Sequence, residues 1–125
     1  MHQFDLKDKT AVITGGAQGF GLDIAKKFLS SGSKVFIWDI DEKELLKVTK
    51  EISNKNLNYN VVDVSNFDQV QKTVSDITSN NKIDILINNA GITGPTAELW
   101  NYNTKDWNSI IDINLNGTFY CCKLI

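Results

Sequence analysis

The sequence predicts an α/β fold in which about four parallel strands form a doubly wound sheet with helices on both faces. Short apolar runs that suit buried strands alternate with stretches that carry a helical stripe. A glycine-rich turn joins the first strand directly to the first helix, and small or polar residues follow each strand. Such alternation favours parallel pairing with right-handed crossovers. The 125 residues suffice for one core, so we predict a single domain over residues 1–125.

Composition excludes several classes of protein. The formal net charge is -2 and the basic residues are scattered, which argues against a nucleic-acid partner. No apolar run is long enough to span a membrane, and the N-terminus lacks the pattern of a secretory signal. Cys121 and Cys122 are adjacent, a poor geometry for a disulfide, and we expect both to be small packing residues in a cytoplasmic protein. His2 is the only histidine, so we predict no histidine-based catalysis and no metal site.

The first strand, the β-branched run 11–13, leads through the glycine-rich turn into a helix over residues 21–31. The buried stripe of that helix is Gly21, Ala25, Phe28 and Leu29. A second strand follows over residues 34–39. The next helix begins after Asp41, which can cap it, with Glu44 at the reciprocal position of a capping box.

The second half of the chain continues the alternation. Residues 54–58 are predicted as a loop and residues 60–63 as the third strand. Ser65 with Asp68 signals the start of the third helix. The fourth strand, residues 83–87, is a nearly continuous apolar run, which is typical of a parallel strand buried on both faces. The inward stripes predicted for the second and third helices are Leu45, Val48 and Ile52, and Val70, Val74 and Ile77.

Residues 103–125 are predicted as one long helix, capped by Thr104 and bent near Asn116 and Gly117. Its apolar stripe is Trp107, Ile110, Ile111, Asn114, Leu115, Thr118, Phe119 and Cys122. Asn114 falls on that stripe, and a buried amide without partners would cost about 1–3 kcal/mol. We therefore expect a water, a backbone carbonyl freed by a bend, or a catalytic group to bind it. A satisfied core asparagine is the alternative.

Ligands of such sheets lie at the carboxyl ends of the strands, where the glycine-rich turn follows the first strand. Gly15, Gly19 and Gly21 form the pattern G-x-x-x-G-x-G. Free N–H groups at the start of the helix would face a pyrophosphate there. A P-loop is excluded because Leu22 and Asp23 follow the last glycine instead of Lys and Ser or Thr. An ordinary strand-to-helix turn is the alternative.

Asp39, at the end of the second strand, could accept hydrogen bonds from both ribose hydroxyls of an adenosine. Its carboxylate would repel a 2′-phosphate, and the nearby Ile40 and Gln18 are neutral. We therefore predict NAD over NADP by at least about tenfold. After the third strand, Asp63 could accept from an adenine amine, and Val64 could offer an N–H and an apolar wall. A turn or helix-cap role is the alternative for both aspartates.

Asn88-Asn89-Ala90-Gly91 follows the fourth strand. The asparagines can tie exposed backbone groups to a neighbouring strand or to a ligand. The small residues Ala90 and Gly91 leave room for something to pass against the backbone.

Taken together, these motifs resemble the classical short-chain dehydrogenase/reductase family and its Rossmann-type fold. The residues that carry the resemblance are Thr14-Gly15-x-x-x-Gly19-x-Gly21, Asp39, Asp63-Val64, Asn88-Asn89-Ala90-Gly91 and Asn114-Leu115-x-Gly117. The stretch from Asn89 through Trp107 is similar to 3-oxoacyl-carrier-protein reductases and to sugar or polyol dehydrogenases.

The resemblance implies a nicotinamide cofactor and a role for each motif. It places the pyrophosphate at Gly15, Gln18, Gly19, Phe20 and Gly21, the ribose at Asp39 and Ile40, the adenine at Asp63 and Val64, and the nicotinamide at Asn89, Ala90 and Gly91. Asn114 would be the asparagine of the catalytic tetrad, where it bends the helix and holds a water of the proton relay. The substrate would be an alcohol or carbonyl compound, and the enzyme a homodimer or homotetramer.

The family's serine and Tyr-x-x-x-Lys lie downstream of that asparagine, and no Tyr-x-x-x-Lys occurs in this sequence. We therefore expect the chain to be the N-terminal half of such an enzyme and to be inactive alone. Two rivals remain open: an S-adenosylmethionine methyltransferase, in which residues 88–91 have no role, and a non-catalytic nucleotide-binding module.

Overall fold

The computed structural model describes residues 4–125, so His2 lies outside the described part of the chain. Four parallel strands form one sheet in the order β3-β2-β1-β4. The strands are β1 (Thr10–Thr14), β2 (Lys34–Asp39), β3 (Leu57–Val61) and β4 (Ile85–Ile87). The helices are α1 (Gly19–Ser30), α2 (Glu42–Ile52), α3 (Phe67–Thr78), α4 (Thr104–Ile111) and α5 (Gly117–Leu124). A 3₁₀ turn at Leu99–Asn101 precedes α4, and a π-helical segment at Asp112–Asn116 joins α4 to α5.

Successive residues of β1 point to opposite faces of the sheet, and each face has its own core. Ile13 packs with the α1 and α2 residues Ala25, Leu29, Leu45 and Val48. Val12 packs on the other face with Val70, Val74 and Ile77 of α3 and Cys121 of α5. Helices therefore cover both faces, which confirms the predicted doubly wound α/β fold.

Two strands differ from their predicted positions. β3 begins at Leu57, inside the predicted loop, because its backbone pairs with β2 from Val35 onward. β3 contains asparagines, so a prediction based on runs of apolar residues does not detect its first half. β4 covers only Ile85–Ile87, and these residues are only partly buried. The predicted burial on both faces is wrong because, within residues 4–125, β4 pairs with β1 alone and forms an edge of the sheet.

The cap of α2 is as predicted, but the capping box is incomplete. Asp41 Oδ1 accepts from the Glu44 N–H at 3.1 Å. The Asp41 N–H, which a capping box would direct to the Glu44 side chain, instead donates to Asp39 Oδ1 at 3.1 Å. Asp39 thus replaces Glu44 as the acceptor, and the start of α2 is tied to the end of β2.

Asparagines, not the predicted Ser65 and Thr104, cap the later helices. Asn66 Oδ1 accepts from the Gln69 N–H at 3.1 Å at the start of α3. Asn103 Oδ1 accepts from two N–H groups of α4 at 2.8 and 3.3 Å. Asparagine caps at least as well as serine and threonine, so a one-residue shift leaves each helix properly capped.

The last helix turns a different face inward from the one predicted. Gly117 and Cys121 are buried, whereas Trp107, Leu115 and Phe119 are 51, 62 and 58% exposed. The π-helical segment has more residues per turn than an α-helix, so it rotates the faces that follow it. The irregular segment lies next to the predicted bend, but the apolar stripe predicted for this helix is wrong.

Gly117 and Cys121 show why this face packs inward. A Cβ at Gly117 would lie 2.8 Å from Val64 Cγ2, so only glycine lets the helix approach this closely. Cys121 is a small packing residue as predicted, and burial, with a smaller contribution from neighbouring Cys122, raises the pKa of its thiol to about 11. Cys122 is exposed, which contradicts its predicted packing role. No helix in residues 4–125 has the length and apolarity that a membrane crossing requires.

Removing the cap of α2 should destabilise the chain. We expect Asp41→Ala to lower the free energy of unfolding by about 1 kcal/mol, because the Glu44 N–H loses its acceptor. Urea unfolding followed by circular dichroism measures the change. Lys43→Ala, at an exposed position in the same helix, is the control, and equal losses in the two variants would contradict the assignment of the cap.

The two cysteines should differ in reactivity. At pH 8 the buried Cys121 thiol stays protonated, since its pKa is raised to about 11, while Cys122 is accessible. We expect one rapidly reacting thiol per native chain with a chromogenic disulfide reagent and two after unfolding. Cys122→Ser should abolish the rapid phase; if that phase persisted, the placement of Cys121 in the core would be wrong.

Candidate functional site

A groove of about 540 Å³ runs along the carboxyl edge of the sheet. Of the residues predicted to contact a cofactor, those that line it are Gly15, Gln18, Gly19, Phe20, Asp39, Ile40, Asp63, Val64, Asn89, Ala90 and Gly91. Gly21 and Asn114 do not line it, but each lies next to a residue that does. Trp38, Asp41, Val62, Ile92 and Ile113 also line the groove, and none of them was predicted to contact the cofactor. The fold thus brings the carboxyl ends of all four strands to one elongated site.

The glycine-rich turn is built for close approach. Gly15 and Gly19 have φ values of +64° and +56°, in the left-handed region that favours glycine. A Cβ at Gly21 would collide with the Gly15 carbonyl oxygen and lie 2.6 Å from Asn89 Nδ2. Helix α1 begins at Gly19 without a side-chain cap, so its first N–H groups have no acceptor within the helix. Those amide groups are available to an anion in the groove.

Thr14 connects the turn to the end of β4. Its Oγ1 accepts from the N–H groups of Asn89 and Ala90 at 3.1 and 3.0 Å. Asn89 Nδ2 in turn donates to the Gly15 carbonyl oxygen at 3.0 Å. The prediction that an asparagine here ties the backbone to a neighbouring strand is confirmed for Asn89. Asn88 differs, because its Nδ2 donates to Cys122 Sγ at 3.3 Å.

Sequence reasoning did not single out Thr14 as a site residue of its own. It is 2% exposed and ends a strand whose three central residues are apolar. One feature of the sequence could have identified Thr14. Its hydroxyl stands at the last position of a buried strand, directly before the glycine turn. The hydroxyl organises the floor of the groove without lining it.

Two backbone N–H groups hold the Asp39 carboxylate at the groove. Oδ2 accepts from the Ala17 N–H at 3.3 Å, and Oδ1 accepts from the Asp41 N–H at 3.1 Å. Ile40 beside it is 69% exposed. None of the residues lining the groove is a lysine or arginine. The negative charge of Asp39 therefore has no cationic partner at this site.

The Asp63 side chain forms hydrogen bonds within the turn that precedes α3. Its Oδ1 accepts from the Ser65 N–H at 2.9 Å and from the Ser65 hydroxyl at 2.6 Å. Its own N–H donates to Gln69 Oε1 at 2.9 Å. This turn role is the alternative that the sequence left open, and it still leaves Asp63 in the lining of the groove. Val64 beside it is buried and packs against Gly117.

Asn114 lies at the surface of the π-helical segment and not on a buried stripe. Its Oδ1 accepts from the Ile92 N–H at 2.8 Å, and its Nδ2 donates to the Ile92 carbonyl at 2.7 Å. The partner is therefore the backbone of the loop after β4, where a water, a carbonyl freed by the bend or a catalytic group was expected. A Cβ at Gly91 would lie 3.3 Å from Asn114 Oδ1, so the small residue keeps this contact close.

Comparison with known proteins gives one consistent result. The sequence model of the family described as short chain dehydrogenase matches residues 9–125. The NAD(+)-dependent 2-dehydro-3-deoxy-L-rhamnonate dehydrogenase of Sphingomonas sp. is 37% identical over 90% of this chain and 45% of its own length. A probable NADP-dependent mannitol dehydrogenase of Yarrowia lipolytica is 39% identical over 98% of this chain and 46% of its own length.

A solved structure agrees with these relatives. The 3-ketoacyl-(acyl-carrier-protein) reductase of Brucella melitensis, complexed with NADH, superposes with a TM-score of 0.89 at 31% identity. The alignment covers 95% of this chain and 49% of the reductase. This chain thus spans about half the length of the relatives that it matches.

Removing the Thr14 hydroxyl should destabilise this edge of the sheet. We expect Thr14→Val to lower the free energy of unfolding by about 1–2 kcal/mol, because the Ala90 N–H loses its acceptor and the Asn89 N–H keeps only the Ile87 carbonyl. Urea unfolding measures the loss. Thr14→Ser keeps a hydroxyl and should retain most of the stability. Thr10→Val, in the same buried strand, should lower the free energy of unfolding much less. Equal losses at Thr10 and Thr14 would contradict this role.

Proposed function

The chain belongs to the short-chain dehydrogenase family of oxidoreductases, and from that premise we propose that its groove binds a nicotinamide adenine dinucleotide. The observation that carries the proposal is the shared groove, in which the glycine-rich turn and Asp39 lie at the carboxyl edge of the same sheet. Family members transfer hydride between C4 of such a cofactor and a substrate carbon. We propose that the whole enzyme does the same with an alcohol or carbonyl substrate.

The turn supports a role for Gly15, Gln18, Gly19, Phe20 and Gly21 in holding the pyrophosphate. The N–H groups at the start of α1 and the helix dipole favour a negative group there. Gly21 is needed because a side chain would strike the turn itself. Phe20 is 82% exposed and lines the groove, so its ring can cover the cofactor from the solvent side.

Asp39 supports NAD as the preferred cofactor. Its carboxylate is held in place by the N–H groups of Ala17 and Asp41 and would accept from the ribose hydroxyls with little reorganisation. A 2′-phosphate would meet this charge with no lysine or arginine in the lining of the groove. Ile40 gives the ribose an apolar neighbour.

Asp63 and Val64 are proposed to receive the adenine, and Asn89, Ala90 and Gly91 the nicotinamide. The second oxygen of Asp63 makes no hydrogen bond within residues 4–125 and can accept from the adenine amine. At the other end of the groove, Thr14 and Asn114 hold the backbone around residues 89–92 in place. We propose that Asn114 contributes to catalysis by fixing this loop.

The proton that accompanies hydride transfer needs a group of its own. The family resemblance assigns it to a serine and a Tyr-x-x-x-Lys, and the 125 residues contain no Tyr-x-x-x-Lys. We therefore propose that this chain is the cofactor-binding part of a single-domain enzyme and binds the dinucleotide without turning over an alcohol. The names of its relatives favour a sugar, sugar acid or polyol, or a 3-oxoacyl thioester, as the substrate.

The exposed apolar face of α4 and α5 supports assembly of the enzyme into a homodimer or homotetramer. Trp107, Leu115 and Phe119 are each more than half exposed on the last two helices and the segment between them. Burying these side chains against a second copy would remove apolar surface from water. The free thiols of Cys121 and Cys122 fit the proposed cytoplasmic location.

The cofactor preference gives the direct test. We expect NADH to bind at least about tenfold more tightly than NADPH, because Asp39 accepts from the ribose hydroxyls and repels the added phosphate. Asp39→Asn should remove most of that ratio by weakening NADH and improving NADPH. Dissociation constants from NADH and NADPH fluorescence titrations measure both effects.

Asp41→Asn is the matched control for charge. Asparagine caps a helix as well as aspartate does, so α2 keeps its start while one acidic group at the groove is removed. We expect its NADH to NADPH ratio to stay close to that of the parent chain. A preference for NADPH in the parent chain would overturn the cofactor proposal, and no binding of either would overturn the function.

A further inference from the structure

Two buried polar side-chain atoms have no hydrogen-bond partner among the described residues: the indole Nε1 of Trp38 and the amide Oδ1 of Asn60. The two residues are direct register partners on the parallel strands β2 and β3. One atom can only donate and the other only accepts. Buried polar atoms are rarely left unpaired in native proteins, so a donor and an acceptor unpaired on adjacent strands call for one explanation.

Both side chains lie on the same face of the sheet. Trp38 belongs to the core that includes Val62, Val70 and Val74, which is the face covered by α3. Asn60 pairs with Trp38 and lies two residues before Val62, so it shares that face. Trp38 is fully buried, and bulk water has no access to either polar atom.

We propose that a single buried water bridges Trp38 Nε1 and Asn60 Oδ1, and that this link positions the Trp38 ring beneath the adenosine end of the groove. A water molecule accepts from the indole N–H and donates to the amide oxygen, so it satisfies both atoms at once. The second half of the proposal rests on the proposed binding of a dinucleotide.

The position of Trp38 explains why its orientation would matter to a cofactor. It lines the groove with Val62 and Val64 and directly precedes Asp39. Its backbone carbonyl accepts from the Gly16 N–H at 3.0 Å, and the Asp39 carbonyl accepts from the Val62 N–H at 3.0 Å. The link between β2 and β3 therefore lies under the residues proposed to contact ribose and adenine.

Nuclear magnetic resonance of the indole N–H groups tests the link without any cofactor. We expect the Trp38 indole proton to exchange slowly and to show a cross-peak to a long-lived water. Trp100 and Trp107 are exposed and provide fast-exchanging references in the same spectrum. Asn60→Leu should shift the Trp38 signal, remove the water cross-peak and speed up exchange.

Asn58→Leu is the matched control. Asn58 lies on the same strand and face but pairs with Phe36, which has no polar side-chain atom. We expect this variant to leave the Trp38 signal unchanged. A Trp38 signal without a water cross-peak, or one that responds equally to both asparagine substitutions, would overturn the proposed link.

NADH titration tests the positioning role. We expect Asn60→Leu and Trp38→Phe each to weaken NADH binding by about fivefold, the effect of one net hydrogen bond, and the double variant to be no weaker than either. Asn58→Leu should bind as the parent chain does. Trp38→Phe keeps an aromatic ring in the core, so its result stands even if Asn60→Leu folds poorly.

These measurements separate the two proposals. Failure of the parent chain to bind NADH would overturn the proposed function and the positioning role, while the indole spectra would still decide whether the link exists. Normal NADH binding in both link variants would overturn the positioning role alone. If the losses of NADH affinity add in the double variant, Trp38 and Asn60 act separately. That result would also overturn the positioning role.

Discussion

The groove depends on one buried hydroxyl. Thr14 Oγ1 accepts from two consecutive N–H groups at the end of β4, while its own backbone leads into the glycine turn. Asn89 closes the arrangement by donating to the Gly15 carbonyl. Partly buried hydrogen bonds therefore hold the carboxyl ends of β1 and β4 together. The two ends of the proposed dinucleotide would lie on either side of this junction.

At the ends of the other strands, acidic side chains bond to nearby backbone groups in a similar way. Asp39 bonds to the turn after β1 through Ala17 and to the start of α2 through Asp41. Asp63 organises the turn before α3. Each acid that could contact a ligand is first held by backbone groups, so it is oriented before any ligand arrives. Such preorganisation lowers the cost of binding.

The fold and most of the site could be predicted from the sequence because their signals are local. The apolar run of β1, the glycine spacing of the turn and the acid at Asp39 each lie within a few residues. The errors in the strands arose where distant contacts decide the outcome. The extent of β3 depends on pairing with β2, and the partial burial of β4 depends on its place at the edge of the described sheet.

The last helices show this most clearly. A π-helical segment changes the phase of the side chains, and no regular periodicity reports it in advance. The partner of Asn114, the backbone of Ile92, was likewise hidden because it lies in a loop far from Asn114 in sequence. The Trp38–Asn60 pair also needs the strand register before the two residues can be seen as neighbours.

The π-helical segment has a mechanical consequence. Asn114 bonds to the loop at one end of the groove, and Leu115, the next residue, has a side chain that is 62% exposed. A neighbour pressing on that exposed side chain and a ligand ordering the loop would therefore act on the same short, irregular piece of backbone. Any effect of one on affinity for the other would be equal in free energy in both directions, as thermodynamic linkage requires.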